Sequence, residues 1–307
     1  MSSFYRSALG KKASAEKGAP GQDDGARAAC DDPPPAYTAA PEPGPSSGAT
    51  THGRDGGVGG GGDDDPFAFL CNFDTVFLID DSGSMAEPSF PGSQKSRWTE
   101  VADVLRAVVP VCTARDADGI DIYFLNHQKP GRALPPSARA PGGYYGIRDP
   151  KQVTDLFRKV RGPWGCTPTG ERLDAILGSY MRVFESQRTA GGLVKPLNVI
   201  VITDGCPTDD PTGVLANVAR RLTDLGAPMS QLGVQFFQVG CDARARAALQ
   251  SLDNCLADQP AAGYRDIVDA SSWSHTGKQT LTADDVLKVV LGAVVKRLDW
   301  TPMSGAK

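Results

Sequence analysis

The sequence predicts an α/β fold, a mostly parallel central sheet with helices on both faces, preceded by a disordered arm. Three observations carry this. Short apolar runs alternate with longer segments whose apolar residues recur at helical spacing. The apolar runs lack polar alternation, as do strands covered on both faces. Composition also changes sharply near Pro66, from Pro, Gly, Ser, Asp and Ala to branched and aromatic side chains. The predicted organisation is an arm over 1–66, a folded domain over 67–300 and a short tail over 301–307.

The elements follow in order. "TVFLI", from Thr75 to Ile79, is a buried strand. "WTEVADVLRAVVPVC" places Trp98, Val101, Leu105, Val108 and Cys112 on one helical face, and Pro110 is expected to kink or shorten that helix. "GIDIYFLN", Gly119 to Asn126, is the second apolar strand. "DPKQVTDLFRKV" turns Val153, Leu156, Phe157 and Val160 inward, with Pro150 in its first turn. "TGERLDAILGSYMRVFESQ" carries Leu173, Ile176, Leu177, Tyr180 and Phe184 at helical spacing. "PLNVIVITDG" is a strand rich in β-branched residues. "TGVLANVARRLTDLG" is a helix closed by Gly226. "LGVQFFQVG" is a strand, and "DARARAALQSLDNCLA" a helix with Asp242 as its N-cap. "YRDIVD" is a short strand, and "TADDVLKVVLGAVVKRLDW" a last helix opened by the Thr282/Asp285 pair.

The arm cannot bury enough apolar surface to offset chain entropy, so disorder is expected. Gly56 to Gly62 reads as a flexible linker. Within the arm, Pro34-Pro35-Ala36-Tyr37 fits Pro-Pro-x-Tyr, the ligand motif of WW domains. Consecutive prolines preform a polyproline II helix, and Tyr37 supplies a second anchor for an aromatic-lined groove. A WW-domain protein, such as a ubiquitin ligase that carries such domains, is the partner this motif predicts.

Bulk properties exclude several classes. The 307 residues are 22% charged and 40% hydrophobic, with a net charge of -4, ordinary values for a globular protein. No general affinity for nucleic acid or anionic membrane is expected from that balance. No apolar run approaches the roughly 20 residues of a membrane span. "MSSFYRSALGKKASAEKG" lacks the apolar core of a secretory signal, which predicts a cytoplasmic protein. Seven cysteines are scattered without a CxxC pair, so neither a disulfide framework nor a structural zinc site is expected. Most are expected to be reduced and packed as small apolar groups.

Chemistry gathers in three loops. "DDSGS", Asp80 to Ser84, follows the first strand; "GCTPTG", Gly165 to Gly170, leads into a helix; "TDG", Thr203 to Gly205, follows another strand. Together they offer Asp80, Ser82, Ser84, Thr167 and Asp204, with Thr169 competing with Thr167. Two carboxylates and three hydroxyls form the all-oxygen set that hard divalent cations prefer. In open parallel sheets, ligands gather beyond the carboxyl ends of the strands. Asp81 reads as a solvated turn residue, and Asp209 and Asp210 as initiators of the helix at Pro211. Cys166 precedes Thr167 and Cys206 lies two residues after Asp204, so both are expected near the rim of the site.

Asp80-x-Ser82-x-Ser84 after a buried strand, Gly165-Cys166-Thr167 and "ITDG", in this order, resemble the von Willebrand factor type A (vWA) domain over about Phe73 to Leu298. The resemblance implies a doubly wound, Rossmann-like sheet with a short antiparallel edge strand, placed around Tyr144 to Ile147. It also implies a metal-ion-dependent adhesion site. Ser82 and Ser84 would bind the metal directly and Thr167 directly or through water. Asp80 and Asp204 would act through water and through hydrogen bonds to the ligands. With neutral hydroxyls against the cation its charge is incompletely compensated, and a partner's Asp or Glu can complete it. Magnesium is the implied ion, with manganese also accepted.

Enzyme readings fare worse. A phosphotransferase using Asp80 as nucleophile needs a second acid two residues on, where Ser82 stands. A serine-hydrolase elbow needs Gly-x-Ser-x-Gly, which Ser82 lacks. There is no GxxxxGK[ST] phosphate loop, and His127 and His275 read as packing or surface residues. The expectation is a binding module rather than an enzyme, the alternative being an adaptor working mainly through its arm.

Overall fold

The computed structural model describes residues 68–131, 138–160, 162–257 and 265–272, with Thr282 and Val286. The arm with Pro34, Pro35 and Tyr37, the linker, the tail and most of the expected last helix lie outside the described residues.

The elements are β1 (Asp74–Ile79), α1 (Arg97–Thr113), β2 (Ile120–Phe124), β3 (Tyr144–Ile147), α2 (Pro150–Lys159), α3 (Thr169–Thr189), β4 (Leu197–Thr203), α4 (Pro211–Asp224), β5 (Leu232–Gln238), α5 (Ala243–Ala257) and β6 (Val268–Ser272). The strands form a six-stranded sheet in the order β3-β2-β1-β4-β5-β6. All neighbours are parallel except β2 and β3. The antiparallel strand occupies an edge, at Tyr144–Ile147, where the resemblance places it.

Successive residues of a strand face opposite sides, and the core divides accordingly. Phe77 and Ile79 of β1 pack with Trp98, Val101, Leu105, Val153 and Phe157 from α1 and α2. Val76 and Leu78 pack on the other side, with Leu173 and Leu177 of α3, Leu215 and Val218 of α4 and Leu249 of α5. Phe77, Leu78 and Ile79 are fully buried. Each such side chain contributes about 1.5–3 kcal/mol relative to exposure, so β1 is anchored from both faces.

Local chemistry sets the helix ends. Ser96 accepts from the Thr99 amide at the start of α1. Asp149 and Gln152 cap α2 reciprocally, with Pro150 at its first position. Asp242 accepts from the amides of Arg244 and Ala245, as expected of an N-cap.

Three expectations are corrected. Pro110 does not shorten α1, which runs on to Thr113. Pro110 is exposed, so its ring points to solvent, and its carbonyl accepts from the Ala114 amide at 3.1 Å. The last strand starts at Val268 rather than Tyr264, because Arg265 is spent elsewhere. Its guanidinium donates to the carbonyls of Leu222, Ala227 and Pro228, tying up the C-terminal end of α4. Finally, of the cysteines whose burial is described only Cys112 is buried; Cys71, Cys166 and Cys206 are free and exposed. The last two lie in loops that carry no core.

Candidate metal centre

β1 and β4 are neighbours at the middle of the sheet, and the strand order reverses between them. Crevices at such reversals are where open α/β sheets bind ligands. The Asp80 amide donates to the Ile202 carbonyl at 2.8 Å, so the ladder with β4 extends into the first candidate residue.

Asp80 then turns the chain. One carboxylate oxygen accepts from the Ser82 amide at 2.8 Å, an Asx turn. The other accepts from Thr203 Oγ1 at 2.6 Å. Both oxygens are therefore engaged, and the side chain is fully buried. Burial is the main cause pushing this carboxyl up to about 6; the bonds from Ser82 and Thr203 oppose it, and the charge of Asp204 adds to it. The turn brings Ser82 Oγ to 3.2 Å from Ser84 Oγ. Ser84 Oγ donates to Asp204 Oδ1 at 2.7 Å, leaving its oxygen lone pairs free to accept or coordinate. Asp80, Ser82, Ser84 and Asp204 thus form one connected group.

Thr167 arrives on the second loop. Gly165 adopts φ +84, and a Cβ there would stand 2.7 Å from Asn126 Oδ1, so only glycine fits. Asn126 Nδ2 donates to the Cys166 carbonyl, and the Gly83 amide donates to the Gly165 carbonyl at 3.3 Å. Thr167 and Thr208, the latter on the segment that continues the third loop, exchange two bonds: Thr167 N donates to the Thr208 side-chain Oγ1 and Thr208 N to Thr167 O. Thr167 Oγ1 lies 3.8 Å from where a Cβ on Gly205 would be. All three loops are joined by hydrogen bonds. Thr169, the competitor, is buried at the start of α3 and its hydroxyl faces the Thr167 carbonyl.

Two neighbouring acids behave differently from expectation. Asp81 is fully buried, not solvated. It accepts from the amides of Asn126 and His127 and from Asn126 Nδ2, binding the end of β1 to the segment after β2. Asp210 caps α4 as expected. Asp209 instead reaches α3, accepting from the amides of Gly170 and Glu171, because Pro168 offers that helix no side-chain cap.

Sequence reasoning missed Thr203, Asn126 and Arg97. Arg97 Nη1 donates to Asp204 Oδ2 at 2.6 Å and to the Ser84 carbonyl at 3.3 Å. No periodicity marks it, because the first residue of a helix is read as a start signal and its reach across the sheet end is tertiary.

Another acidic group, Asp74, Asp116 and Asp118, has oxygens within 4.8 Å of one another and could hold a metal ion. It lies at the opposite end of β1. Lys195 Nζ stands 3.1 Å from Asp74 and 2.8 Å from Asp116, so two of its carboxylates already have a cation. The loops after β1 and β4 offer hydroxyls and carboxylates instead, a donor set that fits a hard cation. His127 packs against Phe124 and Tyr144. Among the described residues, no helix is long and apolar enough to cross a membrane.

No family model matches the chain, and no curated protein matches it.

Proposed function

We propose that this chain is a vWA-type domain, doubly wound, that binds a protein partner through a divalent cation held by Ser82, Ser84 and Thr167. The observation that carries the reading is the hydrogen-bonded group at the reversal of strand order. There Asp204 holds Ser84, and Asp80 fixes the turn that sets two hydroxyls 3.2 Å apart. Magnesium is the proposed ion, in a cytoplasmic setting, and manganese satisfies the same donors. A partner's Asp or Glu would fill the remaining position. Binding is favoured over catalysis because the serines are paired with carboxylates and with each other, and among the described residues no histidine is bonded to either serine.

A ligand that binds only the native state raises its stability, by about 2.7 kcal/mol at a hundredfold excess over Kd. The wild type should therefore melt at higher temperature in saturating magnesium than in chelator, and Ser84→Ala should melt alike in both. Coincident wild-type curves would contradict the proposal.

A further inference from the structure

Arg97 belongs to none of the three loops, yet it touches two of the residues that build the site. Its guanidinium bonds Asp204 and the Ser84 carbonyl, and its side chain is only 14% exposed. Its backbone amide donates to the Glu87 carbonyl, pinning the base of the side chain to the segment that follows the serines. The far side of the guanidinium lies against Gly240, after β5. Gly240 has φ +77, and a Cβ there would sit 2.8 Å from Arg97 Nε, so the loop is shaped around this side chain. Arg97 Nε is buried without a hydrogen-bond partner. A charge kept in such a place is costly unless its partner holds it, and here the partner is a carboxylate of the proposed metal site.

The charges bonded to the residues of the site are Asp80 on the Ser82 amide, Asp204 on the Ser84 hydroxyl, and Arg97 on Asp204 and the Ser84 carbonyl. Asp81 stands beside them but is turned away, its oxygens taken by Asn126 and His127. Two carboxylates would neutralise a divalent cation and leave no electrostatic demand for an acidic ligand. With Arg97 cancelling one of them, the loaded site carries a net positive charge.

We infer that Arg97 is a specificity-determining residue, which weakens metal binding and in exchange makes the loaded site select a carboxylate-bearing partner. The inference rests on the proposed metal site. It also assigns Arg97 a role without metal: it holds Asp204, and through it Ser84, in the binding geometry.

The test is manganese affinity measured for wild type, Arg97→Gln and Arg97→Lys, in chloride and with sodium acetate as the carboxylate probe. Gln keeps a donor for Asp204 but removes the charge, and Lys keeps the charge. Removing a like charge from beside a divalent ion should tighten manganese binding by roughly tenfold in Arg97→Gln, with Arg97→Lys near wild type. Acetate should strengthen manganese binding to wild type and Arg97→Lys, and by linkage manganese strengthens acetate binding; in Arg97→Gln that coupling should be lost. Unchanged or weaker manganese binding in Arg97→Gln, or equal acetate coupling in all three, overturns the inference while leaving the metal site standing. Failure of the wild type to bind manganese overturns the metal reading and the inference with it.

Discussion

Asp80 is a buried carboxylate with both oxygens bonded, and its environment still raises its pKa to about 6 from 3.8. Such a group costs stability when ionised: its contribution is full below about 3.8 and is lost as pH rises through about 6. In chelator, Asp80→Asn should therefore match the wild type near pH 4 and exceed it at pH 7.5, by about 1–3 kcal/mol. Magnesium should reverse that order at pH 7.5, since a cation favours the ionised acid. Denaturant melts at several pH values check both, and parallel profiles for the two proteins would count against this account of Asp80. Asp80, Ser82, Ser84 and Asp204 were legible in the sequence because their spacing follows strand ends. Asp81 was not: whether an acid after a strand faces water or a neighbouring backbone depends on the segment that crosses it. Here that segment is Asn126-His127, supplied from β2.

Elements position these residues through contacts between loops rather than within them. The start of α3 is capped by Asp209 from the segment leading to α4, some forty residues later in the chain. Replacing an N-cap acid by alanine costs about 1 kcal/mol. Asp209→Ala should lose about that much stability and, because Thr167 stands just before α3, should also weaken metal binding severalfold. Thermal melts with and without magnesium read both effects; an unchanged protein would show that the cap does not hold the loop. Local signals gave most elements their place: Pro150 and Asp242 at helix starts, β-branched runs for strands, Gly226 after α4. They failed where tertiary contacts decide. Pro110 was expected to kink or shorten α1, yet it faces solvent and the helix runs on to Thr113. The start of β6 was displaced because Arg265 is drawn to three carbonyls, of Leu222 in the last turns of α4 and of Ala227 and Pro228 just after it.

At the scale of the molecule, the sheet order places the ends of β1 and β4 side by side. Residues 120 apart in sequence, Ser84 and Asp204, thereby share a hydrogen bond. The α/β class was legible because buried parallel strands and amphipathic helices have distinct periodicities; the edge strand was placed only by the resemblance. Which acids meet which cations was not, since it depends on side chains such as Arg97 and Lys195 crossing between elements. The central claim is that one divalent ion sits on the hydroxyls at this junction. Its most direct test is manganese binding by electron paramagnetic resonance, on the wild type, on Ser82→Ala/Ser84→Ala and on Asp116→Ala. The account predicts a single manganese displaced by magnesium, lost in the double serine variant and retained in Asp116→Ala. Binding that survives the serine changes but disappears with Asp116→Ala would place the ion at the opposite end of β1 and contradict it.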